Sequence, residues 1–138
     1  MSRREILEKW VKESDFVPKT TENDQELILS LLVTLNEEKS LNAEFYVHLE
    51  KLNNFVSVFG YIEDFRVSDK NRTKFFEVLN SVNLSISMGH FELLDEGQVR
   101  YKIAIDPGKK EIETCLLNGM LGAAHHWLEE YHEKFIAY

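Results

Sequence analysis

The chain contains one cysteine, two prolines and six glycines, and the glycines never gather into a cluster. A single cysteine cannot close an internal disulfide. Cys115 sits among apolar residues in a helical pattern and reads as a small buried thiol. The scattered glycines form no GxGxxG or GxxxxGK[ST] loop, so the usual phosphate cradles are missing. No GxSxG elbow and no HExxH pair occurs either, and the sequence states no serine hydrolase or common zinc protease. No apolar run approaches the ~18 residues of a membrane span. The first ten residues, MSRREILEKW, are charged throughout and hold no apolar signal core. A cytoplasmic location with no membrane partner is the expectation. Basic residues are also short, at 16 Lys and Arg against 24 Asp and Glu, for a formal net charge of -8. A phosphate-binding surface needs a basic stripe, so nucleic acid is not an expected partner.

What is present suits a single domain spanning residues 1–138 with one sizeable core. Hydrophobic residues make up 43% of the chain, including nine Phe, five Tyr and two Trp. Such a chain can bury enough apolar area to offset its ordering entropy.

Ser2 and Glu5 have capping-box spacing, and Ile6, Leu7, Trp10 and Val11 then share one helical face. The polar stretch VPKTTEND, with Pro18, reads as a connector. From Glu26, Leu27, Leu29, Leu31, Val33 and Leu35 alternate with Ser30, Thr34 and Asn36, the period of a half-buried strand. The segment from Asn42 to Leu52 suits a helix or a strand. A two-residue turn at Asn53-Asn54 favours a hairpin, in which Leu49 opposes Val58, Val47 opposes Gly60 and Phe45 opposes Ile62. On the other face His48 then meets Phe59 and Tyr46 meets Tyr61.

Ser68 or Asp69 can cap a helix whose face carries Phe75, Phe76, Leu79 and Val82. Asn80 and Asn83 suit its exit, because asparagine accepts left-handed backbone and bonds to it locally. A second hairpin turns at Asp95-Glu96-Gly97, pairing Leu93 with Val99, Phe91 with Tyr101, and Glu92 with Arg100. After Pro107 and Gly108, a long helix is expected from about Lys110. Its apolar stripe is Ile112, Cys115, Leu116, Met120, Ala123, Trp127 and Tyr131. The small residues Gly119, Gly122, Ala123 and Ala124 suggest a close approach by a neighbour. The expected fold is α+β, an antiparallel sheet with helices packed on one side, in the order α-β-β-β-α-β-β-α.

The run LNSVN, then GHFELLDEGQVRYK, then a long helix resembles the YbjN family of bacterial proteins described as sensory-transduction regulators. The likeness is strongest from about Asp64 onward. Asn80, Asn83, Gly89, Phe91, Val99, Arg100 and Tyr101 match its pattern, and all are readily structural. That family is similar in fold to type III secretion chaperones, small acidic dimers that hold partner polypeptides on their sheets. The resemblance therefore implies a non-enzymatic, chaperone-like regulatory module that binds protein as a homodimer, with no cofactor. It carries over no functional residue.

Two candidate sites come from the residues themselves. Ile28, Leu32, Tyr46, Phe59 and Tyr61 fall on the sheet face turned away from the expected core, where charged side chains would be usual. An aromatic and aliphatic patch there marks a contact surface for a partner protein or a second copy. The competing reading is that the N-terminal helix or its connector folds back over it. The other candidate is His125, Glu129 and His132, spaced i, i+4, i+7 on the last helix. Two His and one Glu can hold zinc with an open position, which would make the chain a metal-dependent enzyme or metal sensor. Di-metal bundles need the ExxH spacing twice, and it occurs once here, so a solvated polar face competes with this reading. His48 and His90 stand alone in strands.

Overall fold

Alternating side chains over three central stretches put every second residue on one face, and these stretches form the middle of one sheet. A computed structural model of the chain describes residues 2–14, 17–51, 55–108 and 111–138. The elements run α1 (Arg3–Glu13), β1 (Lys19–Glu22), β2 (Glu26–Asn36), β3 (Leu41–Glu50) and β4 (Val56–Ile62). A 3-10 turn (Asp69–Asn71) then leads into α2 (Arg72–Ser85), β5 (His90–Leu93), β6 (Val99–Ile105) and α3 (Thr114–Ile136). The six strands form one antiparallel sheet in the order β1-β2-β3-β4-β6-β5. The fold is α+β, as the periodicity predicts. No helix of the described residues is long and apolar enough to cross a membrane.

One strand was not visible in the pattern. Lys19–Glu22 lies within the expected connector yet pairs with β2, Lys19 opposite Ser30 and Glu22 opposite Leu27. All four residues are exposed, so no apolar alternation marks them. The Asn23 side chain sets the hairpin, accepting from the Gln25 and Glu26 amides at 2.8 and 2.9 Å.

The buried face of the sheet is built from Leu27, Leu29 and Leu31, then Phe45, Val47 and Leu49, then Val58, Tyr101 and Phe91. All three helices pack on this face. From α3 come Leu117, Met120, Ala124, Leu128 and Phe135, each almost wholly buried. Gly60 lets α3 approach, because a Cβ there would stand 2.5 Å from Leu128 Cδ1 and 2.9 Å from Phe45 Cε1. The Phe75 ring of α2 lies 5.5 Å from Phe135, which in turn lies 4.9 Å from Phe91. In α1, Ser2 accepts from the Glu5 amide, and Ile6, Leu7 and Trp10 are buried. Each such side chain contributes about 1.5–3 kcal/mol by leaving water. Trp10 Nε1 also donates to Asn118 Oδ1 on α3 at 2.6 Å.

The β5–β6 hairpin has the predicted register in every pair. Gly97 takes a left-handed φ of 91°, and the Leu94 amide donates to the Gln98 carbonyl at 2.9 Å. The β3–β4 pairing is displaced by two residues from expectation. Leu49 opposes Val56, Val47 opposes Val58, Phe45 opposes Gly60 and Tyr46 opposes Phe59. The Glu50 amide bonds to the Phe55 carbonyl at 3.3 Å, so the connection spans 51–54 instead of two residues. Asn53-Asn54 and Leu52 lie outside the described residues. A shift of two preserves which face each side chain takes, so the hydrophobic pattern cannot detect it.

Several helix expectations are corrected. The buried stripe of α3 is Leu117, Met120, Leu121, Ala124, Leu128, His132 and Phe135, one position on from the expected stripe. Leu116, Trp127 and Tyr131 sit half-buried at its margin. Because α3 is apolar around more than one face, periodicity alone does not choose among them. Lys110, the expected start, lies outside the described residues; the helix begins at Thr114. Gly119 and Gly122 are exposed, and a Cβ on either meets nothing within 4 Å, so no close approach explains them. In α2, Phe76 is exposed with the Arg72 guanidinium 5.4 Å over its ring. Ser68 makes no side-chain cap bond and Asp69 lies within the 3-10 turn; α2 itself starts after Asn71, which makes no cap bond either. Asn83 does not take left-handed backbone. Its side chain reaches β5, where Nδ2 donates to the Phe91 carbonyl at 3.0 Å and Oδ1 accepts from the Phe91 amide at 2.7 Å.

Candidate partner-binding face

With all helices on one side, the odd-numbered positions of β2, β3 and β6 fill the core and the even-numbered ones face away. Strand pairing aligns the outward residues into rows. One row runs Ser30, Tyr46, Phe59, Lys102, His90, and a second runs Leu32, Glu44, Tyr61, Arg100, Glu92. A third holds Ile28, His48, Ser57 and Ala104. All five residues of the expected patch thus lie on one face. Ile28, Tyr46, Phe59 and Tyr61 are half-buried by one another, while Leu32 is 62% exposed.

The competing cover is not where the sequence reading placed it. Leu7 and Val11 of α1 border Leu27 and Leu29 on the core face, and the connector has become β1 at the sheet edge. Among the described residues, no helix or strand lies over the aromatic face. A shallow cavity of about 330 Å³ opens there, lined by Ile28, Glu44, Tyr46, His48, Phe59, Tyr61 and Gln98.

A polar network, only partly visible in the sequence, links the side chains of this face. Tyr46 and Tyr61 meet edge to face at 5.6 Å. The Tyr46 hydroxyl donates to Glu44 Oε2 at 2.6 Å, and this bond, with burial, pushes its pKa to about 12. Arg100 lies with its guanidinium carbon 4.8 Å over the Phe59 ring and 6.0 Å from that of Tyr61. Its Nη1 donates to the Tyr61 hydroxyl at 3.3 Å and its Nη2 to Glu92 Oε2 at 2.6 Å. Burial pushes the Glu92 carboxyl upward, but Arg100, with His90 at 2.8 Å, outweighs it and leaves the pKa below its ordinary value. His48 Nε2 pairs with Glu26 Oε2 at 2.6 Å. Neither histidine stands alone as expected. The Glu92–Arg100 pair was legible from the hairpin, whereas Arg100 stacked on Phe59 was not. That contact depends on β4 pairing with β6 across an intervening helix, which no local spacing announces.

The metal candidates are not brought together. His125 Nδ1 lies 3.6 Å from Glu129 Oε2, on a partly exposed part of α3. His132 is buried instead of solvated, with Nδ1 donating to the carbonyls of Glu129 at 2.7 Å and Leu128 at 3.1 Å. Its Nε2 is buried without a hydrogen-bond partner. Among the described residues, no three His, Cys, Asp or Glu side chains converge as a cation site. Cys115 is exposed, not buried; its thiol bonds to Glu113 at 3.2 Å, which raises its pKa. A raised thiol pKa lowers the thiolate fraction and argues against a nucleophile.

The fold and face define an α+β protein with a one-sided helical layer and an open aromatic sheet. No protein-family model matches the chain, and no curated protein sequence matches it at a significant level.

Proposed function

We propose that this chain is a protein-binding, chaperone-like regulatory module of the YbjN type, acting in the cytoplasm without catalysing a reaction. The observation that carries the reading is the sheet face over which no described helix or strand lies, where Ile28, Leu32, Tyr46, Phe59 and Tyr61 are ringed by Glu44, Glu92, Arg100 and Lys102. An apolar centre with a charged rim is the usual anatomy of a protein contact. The aromatic rings are fixed by their neighbours, so binding costs little side-chain ordering. A net charge of -8 favours basic or neutral polypeptide partners over acidic ones. The homodimer implied by the family resemblance belongs to the same proposal.

The test is affinity capture with the wild type beside a Tyr46→Glu, Phe59→Glu, Tyr61→Glu variant whose circular dichroism is unchanged. Partners held by the wild type and lost by the variant support the proposal. Partners held equally by the folded variant would move binding off this face.

A further inference from the structure

We infer that two copies of this chain join edge to edge through residues 31–35 of β2, extending each six-stranded sheet into the other. This edge would form the homodimer of the proposed function, and backbone hydrogen bonding carries it whatever the aromatic face captures. In an antiparallel ladder, alternate residues direct both N–H and C=O to the same side. The Asn23 amide donates to the Glu26 carbonyl, and the Lys51 amide donates to the Gln25 carbonyl. Even-numbered residues of β2 therefore address β1, and odd-numbered ones address β3. β1 ends at Lys19, opposite Ser30. In the continued register Val17 would stand opposite Leu32, yet it is 97% exposed and unpaired. Leu32 and Thr34 thus direct their backbone groups outward at an edge that no described residue covers.

The other edges are protected along their length, whereas this one carries a register shift between Thr34 and Asn36, at its far end. On β5 the Asn83 side chain takes both the amide and the carbonyl of Phe91. The outer edge of β1 is only four residues long, and Lys19 and Glu22 bracket it with charge. Short length, charge and covered backbone are among the devices by which sheets avoid edge pairing, as are bulges. Residues 31–35 read Leu-Leu-Val-Thr-Leu, with no charge, proline or glycine. Such a strand is self-complementary, because an antiparallel copy brought up by a twofold axis near Val33 and Thr34 meets the same apolar sequence. The Leu32 side chain then gains a neighbour on the open face, and the two aromatic faces become one surface.

An edge of five residues is a small interface, so the dimer is expected to form with concentration, between about 1 µM and 1 mM. The experiment is sedimentation of the full chain across that range. The mass should rise from 16.2 kDa toward twice that value. Leu32→Lys places a like charge on each side of the axis and should move the midpoint upward about tenfold or more. Thr34→Pro deletes an outward amide that no described residue uses, and should do the same. The Tyr46, Phe59, Tyr61 triple variant should still dimerise, which separates this inference from the partner-capture proposal. If neither edge variant folds, amide exchange in the wild type decides, since Leu32 and Thr34 must slow as concentration rises. A constant monomer mass, exchange at Leu32 and Thr34 that is independent of concentration, or dimerisation unchanged in a folded Leu32→Lys variant would each overturn it.

Discussion

Asn83 shows how one side chain replaces a strand. Its amide satisfies both backbone groups of Phe91 on the outer edge of β5, and Phe91 is buried against Tyr101 and Phe135. Asn83→Ala leaves a buried donor and acceptor unmet and should cost about 1–3 kcal/mol in urea unfolding. Glu92 ties its charge state to the face through Arg100 and His90. Its folded pKa lies below the ordinary 4.5, so the unfolded chain takes up its proton first as pH falls. Its contribution is therefore fully present above 4.5 and is lost as pH drops through the lower folded value. Glu92→Gln should flatten the acid limb of the stability curve, measured by denaturant melts from neutral pH downward. An unchanged limb would mean that Arg100 does not hold the carboxylate.

At the scale of elements, legibility followed the locality of the constraint. The β5–β6 hairpin was readable residue by residue, because Gly97 fixes the turn and both faces agree on one register. For β3 and β4 the faces were readable but the register was not, since a slip of two residues leaves every side chain on the same face. The alternation that placed Tyr46, Phe59 and Tyr61 on a common face survived that error for the same period-two reason. β1 was invisible because all of its side chains are exposed, and Arg100 over Phe59 was invisible because β4 and β6 are not sequence neighbours. In α3 two apolar stripes compete, and the packing of Leu128 into the space left by Gly60 selects one. Leu128→Ala should therefore cost about 2–5 kcal/mol in thermal or denaturant unfolding. Cys115→Ser, on the stripe the spacing favoured, should stay within about 0.5 kcal/mol of wild type. The reverse ranking would mean that α3 is rotated.

Across the whole molecule, the helices spend their apolar surface on one side of the sheet and leave the other to aromatic side chains and ion pairs. No described helix or strand covers that second face, which is the surface proposed to engage a polypeptide. Hydroxyl-radical footprinting of the purified chain, alone and with a captured partner, tests it most directly. Leu32, Tyr46, Phe59 and Tyr61 should be oxidised in the free protein far faster than the buried Phe45, Phe75 and Phe135, and the partner should suppress this. Face residues as protected as the core residues in the free protein, or unchanged oxidation in the complex, would contradict it.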